Sequence, residues 1–100
     1  MNIKVLDKLE SGYIKLTWIE YINRANLKSS DLEKIVDIID NFKNKHTTKE
    51  LVIFKLKIMP VYVTIKKQDY ISILEWIKNK FIELEMYEKC ERIVNLIKVL

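Results

Sequence analysis

Lys43, Lys45, Lys49, Lys55, Lys57, Lys66 and Lys67 face a single acid, Glu50, within residues 43–67. Ammonium groups clustered this way, with Tyr62 and Thr64 among them, suit contact with phosphate oxygens. If 51–65 forms a β-ribbon, Lys55 and Lys57 share one face of their strand, and Tyr62, Thr64 and Lys66 share one face of theirs. Lys55, Lys57, Tyr62, Thr64, Lys66 and Lys67 are therefore the candidate nucleic-acid residues. The competing reading is that a lysine-rich chain puts lysines on any solvated face.

Catalytic chemistry fits the residues less well. One glycine in the whole chain leaves no Gly-rich phosphate loop. His46 lies among lysines and threonines and reads as a surface residue rather than a general base. Cys90, the single cysteine, allows no internal disulfide and sits on an apolar stripe, where a thiol acts as a small core residue. One cysteine and one histidine fall short of a zinc ligand set. The carboxylate pairs Glu83/Glu85 and Asp37/Asp40 lie on faces that read as solvated. The expectation is a non-enzymatic binding protein with no cofactor and no metal.

The aromatic residues offer a second kind of site. Two tryptophans and five tyrosines are many for one small chain, and such residues dominate protein interfaces. Trp18, Trp76 and Tyr87 are the candidate protein-contact residues. Trp18, in the first turn of a helix, is the better surface candidate, whereas Trp76 and Tyr70 also suit a core.

Helix signals come next, because helices must position these side chains. Thr17 and Glu20 make a capping box, with Leu16 and Tyr21 placed for a hydrophobic staple. Ser30 and Glu33 repeat the box. The helix they open runs to about Lys43, with Leu32, Ile35, Val36, Ile39 and Phe42 as its apolar stripe. Leu6 and Leu9 at helical spacing, with Gly12 beyond them, predict a short helix at 3–10. The stretch 51–66 is mixed. Thr47 and Glu50 signal a helix start, but alternation in FKLKI and the β-branched VYVTI signal strands, with Pro60 as an interruption. A strand at 61–65 is expected, and a strand at 51–58 is preferred over a helix.

Helical period returns at Lys67. Tyr70, Ile73, Leu74, Ile77 and Phe81 share a face, while Ile71, Trp76 and Ile82 lie elsewhere, as in a helix that also meets another molecule. On the last helix, about 86–99, Met86 or Tyr87, Cys90, Ile93 or Val94, Ile97 and Leu100 recur at threes and fours. The stripe shifts phase near Leu84–Glu85, which favours a tight antiparallel hairpin.

Within EMYEKCERIVNLI (85–97), Glu85, Tyr87, Glu88, Ile93 and Ile97 resemble the second helix of the UVR motif, a short helical hairpin of nucleotide-excision repair proteins. ILEWIKNKF (73–81) resembles its first helix. Cys90 stands where that motif prefers alanine, Glu91 at its second small position, and Val94-Asn95 in place of its Arg-Asp pair. The resemblance covers about a quarter of the chain and implies a hairpin that docks on a protein partner. The order strand (61–65), helix, helix is similar to ribbon-helix-helix DNA-binding domains, which implies Tyr62, Thr64 and Lys66 facing DNA. Here the first helix is too long, and that family's turn before the second helix is missing.

One hundred residues, 49% hydrophobic and 32% charged, suit a single domain spanning 1–100. Its expected class is mainly α, with four to five short helices, a C-terminal helical hairpin and a short central β-ribbon or extended segment. Sixteen Ile, sixteen Lys and seven Asn beside one Ala and two Arg reflect AT-rich codons, as in a low-GC bacterium or its phage. No apolar run is long enough for a bilayer, and MNIKVLDKLE has no signal-peptide core. The expected setting is the cytoplasm, or the virion if phage-encoded. The expected partner is another protein, with homo-oligomerisation, no membrane contact, and nucleic acid as the alternative.

Overall fold

The computed structural model describes residues 14–22, 25–44, 50–56 and 61–100, and the backbone of 4–6. Helical residues outnumber strand residues more than two to one among them, in four α-helices beside one small sheet. The elements are β1 (Lys4–Leu6), β2 (Ile14–Thr17), α1 (Trp18–Ile22), α2 (Ser29–Phe42), β3 (Glu50–Leu56), β4 (Val61–Ile65), a 3-10 turn (Lys67–Asp69), α3 (Tyr70–Glu83) and α4 (Tyr87–Lys98). They fall into two compact units, 1–27 with 46–67 and 28–45 with 68–100.

The first unit is built on a sheet of order β1-β3-β4-β2. β3 is antiparallel to both β1 and β4, and β2 lies parallel to β4. The preferred strand at 51–58 is thus present over 51–56, paired with 61–65, while 57–58 lie outside the described residues. The sheet is larger than the expected ribbon. Val61 to Ile65 are all buried and β4 is paired along both edges, as suits a nearly unbroken apolar run without alternation. The helix expected at 3–10 is not formed at Lys4–Leu6, which pair with Val52–Glu50 instead; 7–10 and Gly12 lie outside the described residues. Pairing on a sheet edge overrides a two-leucine helical signal.

Thr17 ends β2 and caps α1 at once. Its hydroxyl donates to Glu20 Oε1 at 2.8 Å, and the Glu20 amide reaches Thr17 Oγ1 at 3.5 Å, the expected box. Trp18 and Ile22 are buried on this short helix, and the Tyr21 ring tilts against Phe54 with centroids 5.4 Å apart. Glu50 opens β3, so the Thr47–Glu50 helix start is not used; Thr47 itself lies outside the described residues.

The second unit consists of α2, α3 and α4. α2 buries Leu32, Ile35, Val36, Ile38 and Ile39, the expected stripe widened by Ile38, with Phe42 half-buried. Its start corrects the expected box. The helix begins at Ser29 after Lys28, and the Lys28 amide donates to Asp31 Oδ2 at 3.0 Å. Lys28 has no acceptor side chain, so the box is half made, and Ser30 with Glu33 do not cap. α3 buries Tyr70, Ile73, Leu74, Ile77 and Phe81, the face read from spacing. The Tyr70 hydroxyl is buried without a hydrogen-bond partner among the described residues, and burial raises its pKa.

The expected hairpin joint is a Schellman turn. The Met86 amide donates to the Phe81 carbonyl at 2.8 Å and the Glu85 amide to Ile82 at 3.0 Å. Glu85 takes φ 57°, the left-handed region where a Cβ is penalised and glycine is favoured. Glu85→Gly is therefore expected to stabilise the chain by about 0.5–1 kcal/mol, the relief of strain exceeding the added unfolded-state entropy. A raised thermal midpoint checks this; a lowered one would show that the glutamate side chain holds the turn.

Candidate protein-contact surface

α3 and α4 form the hairpin, and their packing fixes which apolar residues stay outside. The Cys90 thiol lies 3.6 Å from the Lys78 carbonyl, and Lys89 Nζ lies 5.9 Å from the Phe81 ring centre. On the buried side of α4, Ile93 and Leu96 are the covered residues. This resolves the Ile93-or-Val94 alternative in favour of Ile93 and adds Leu96, which the stripe omitted. Cys90 is half-buried rather than a full core residue.

A second apolar stripe, Tyr87, Cys90, Val94 and Ile97, follows a three-four-three spacing along α4. Tyr87 is 62% exposed and Val94 is 36% exposed. On α3, Ile71 and Ile82 are exposed and, at i and i+11, share a stripe with Lys78. Because the Cys90 thiol meets the Lys78 main-chain carbonyl, both stripes border the seam between the two helices. Leu84, in the turn, is also exposed.

The three candidate contact residues divide. Tyr87 is exposed beside the turn. Trp76 is half-buried on α3, with Lys80 Nζ 5.3 Å from its ring centre. Trp18 is 7% exposed, which overturns its surface assignment: a helix of little more than one turn set against β2 and β4 is held by burying its indole.

Charge links α4 to α2. Arg92 pairs with Asp37 at 2.7 Å and Asp40 at 3.3 Å, Lys89 pairs with Glu33, and Lys43 holds Asp40 at 2.7 Å. Glu33, Asp37 and Asp40 fall at i, i+4 and i+7, one ridge of α2. The Asp37/Asp40 pair, expected to be merely solvated, is a clamp for Arg92. The Lys43 hydrogen bond, helped by Arg92 and opposed by partial burial, lowers the Asp40 pKa, and the Asp37 hydrogen bond foremost raises that of Arg92. A cleft of about 450 Å³ lies beside this clamp, lined by both signs of charge, including Asp40, Lys43, Glu88 and Arg92.

The candidate nucleic-acid residues are not presented together. Tyr62 is 0% and Thr64 4% exposed, so neither faces a ligand. The register sets Lys55 opposite Tyr62, with its ammonium 5.5 Å from the ring centre, so the two share a face. Lys66 lies 3.8 Å from Glu50, which also accepts from Lys15 at 2.9 Å and from the Thr64 hydroxyl at 2.9 Å. Lys67 is exposed in the 3-10 turn, and Lys45, His46, Lys49 and Lys57 lie outside the described residues. With β3 on one edge and β2 on the other, β4 has no edge left to pair with a second chain as ribbon-helix-helix strands do. The sequence marked Glu50 only as the one acid among the lysines and as a helix start, and did not mark Lys15; thirty-five positions separate the two, and only the sheet brings them together.

Among the described residues no group of three or more His, Cys, Asp or Glu is placed to hold a metal, and no helix is long and apolar enough to cross a membrane. Comparison with family models, curated proteins and solved structures finds no match for this chain.

Proposed function

We propose that this chain is a non-enzymatic accessory protein that acts by contact with another protein through the turn of its α3–α4 hairpin. The observation that carries this reading is that Ile82, Leu84 and Tyr87 are all exposed within six positions at the turn of one hairpin, with Ile71 and Val94 also exposed on its two helices. Single exposed apolar residues are ordinary, but several large ones crowded into one short turn mark an interaction surface. Tyr87 is the natural anchor, being large, rigid and amphipathic.

A photoreactive phenylalanine analogue placed at Ile82 and irradiated in the producing cells tests the surface directly. The expected result is a discrete protein adduct that Tyr87→Asp abolishes while helix content is retained. The same analogue at Lys34, an exposed position of α2, is expected to give none. No adduct at Ile82, or identical adducts from both positions, overturns the reading.

A further inference from the structure

The turn of the hairpin specifies the chemistry of what it meets. Ile82, Leu84 and Tyr87 are 45%, 54% and 62% exposed within six consecutive positions. Between and beside them stand Glu83, Glu85 and Glu88, all exposed, and residues 82–88 contain no lysine or arginine. A depression of about 500 Å³ opens here, lined by Glu85, Met86, Tyr87, Glu88 and Lys89. The nearest cations are engaged: Lys80 reaches Glu83 at 3.3 Å, and Lys89 is paired with Glu33. Among the described residues, Glu85 and Glu88 carry no ion pair. The rest of the chain is basic, since the whole carries a net charge of +4.

We infer that this acidic, apolar turn docks a partner segment that presents basic side chains around apolar ones, as a cationic amphipathic helix does. The inference rests on the hairpin being a protein-contact surface and names its partner's chemistry. Burying Tyr87 and Leu84 under a partner also removes water from Glu85 and Glu88. A partner without cations there leaves two carboxylates desolvated and unpaired, which costs more than the apolar contact returns. A partner with lysines or arginines at those places pairs them. Screening confines this selection to the turn, because at physiological ionic strength charges beyond about 8 Å are largely damped. The chain's overall positive charge meanwhile opposes any cationic peptide that is not held locally.

The test is fluorescence anisotropy of three labelled helical peptides sharing one leucine stripe, with polar faces of lysine, glutamate or serine. The full chain is expected to bind the lysine peptide alone. Glu83→Gln, Glu85→Gln and Glu88→Gln together are expected to weaken it by roughly tenfold. Tyr87→Ser is expected to weaken it comparably, with helix content unchanged in both variants. Tyr87-dependent binding of the serine or glutamate peptide overturns the charge assignment while leaving the contact surface standing. Lysine-peptide binding indifferent to Tyr87→Ser shows charge attraction alone and overturns the inference, as does binding of no peptide. The photo-adduct at Ile82 reports on the surface separately. An adduct at twice the chain's own mass makes a second copy the occupant and also overturns this assignment.

Discussion

Tyr62→Ala is expected to destabilise the chain by about 3–5 kcal/mol, the range for emptying a buried aromatic site. Small domains hold only about 5–15 kcal/mol in total, so this variant populates the unfolded state near body temperature. The ring is fully buried on β4, a strand set between β3 and β2, and the Lys55 ammonium lies over it. Truncation therefore opens a cavity in a strand that is buried along all five residues. Urea denaturation followed by circular dichroism measures the shift in midpoint. An unchanged midpoint would mean that Tyr62 faces solvent, and would return it to the candidate nucleic-acid residues. Lys55→Ala separates the ammonium from the ring: a cation–π contact made by an exposed lysine contributes about 0.5–1 kcal/mol.

The same residue shows where sequence reading succeeds and where it stops. α2 and α3 were legible because their apolar residues recur with the period of the element itself, as Leu32, Ile35 and Ile39 or Tyr70, Ile73 and Ile77 do. The hairpin between α3 and α4 was legible from a phase shift, although Glu85 supplies the left-handed residue without a glycine to announce it. Strand register was not legible. Val52 pairs with Thr64 and Phe54 with Val63, which leaves Ile53 as an extra residue and resets the alternation beyond it. That bulge sets Lys55 beside Tyr62, so alternation within each strand does not reveal which lysines face which tyrosine. β2 carried an alternating signal, IKLT, but too short to outweigh the capping box that begins within it. Two apolar stripes share α4, and only packing decides that Ile93 and Leu96 go inward while Tyr87 and Val94 stay out. The turn's acidic character, by contrast, stood in the sequence from Ile82 to Glu88 and needed only the exposure of Leu84 and Tyr87 to acquire meaning.

Glu50→Ala carries the second large effect, a loss of about 2–3 kcal/mol. Hydrogen bonds to charged groups contribute about 1.5–3 kcal/mol, and removing one partner strands the other. Glu50 holds Lys15 from β2, Lys66 beyond β4 and the buried Thr64 hydroxyl from β4, so it ties three strands at one end of the sheet. Its loss leaves Thr64, 4% exposed, with an unpaired hydroxyl. Adding Thr64→Val to Glu50→Ala is accordingly expected to restore part of the stability, a non-additivity that marks a direct coupling. Equal and additive losses would show that the two residues act separately. The pH dependence follows from the same geometry. Burial pushes the Glu50 carboxyl upward, but hydrogen bonds from Lys15 and Thr64 and the charges of Lys15 and Lys66 outweigh it, leaving its pKa below the ordinary value. The unfolded chain then takes up this proton at a higher pH than the folded one does, so stability rises with pH through that interval. Glu50's contribution is fully present above the unfolded value of about 4.3 and is lost as pH falls through the folded pKa. Glu50→Gln keeps an acceptor for Thr64 and removes the titration. Its stability is expected to be lower than that of the parent at neutral pH and to converge on it in acid, because the parent then loses the charge that the variant never had. Parallel curves for the two proteins down to the acid limit would show that Glu50 titrates alike in the folded and unfolded chains, and that the sheet end is held by its packing and not by this carboxylate.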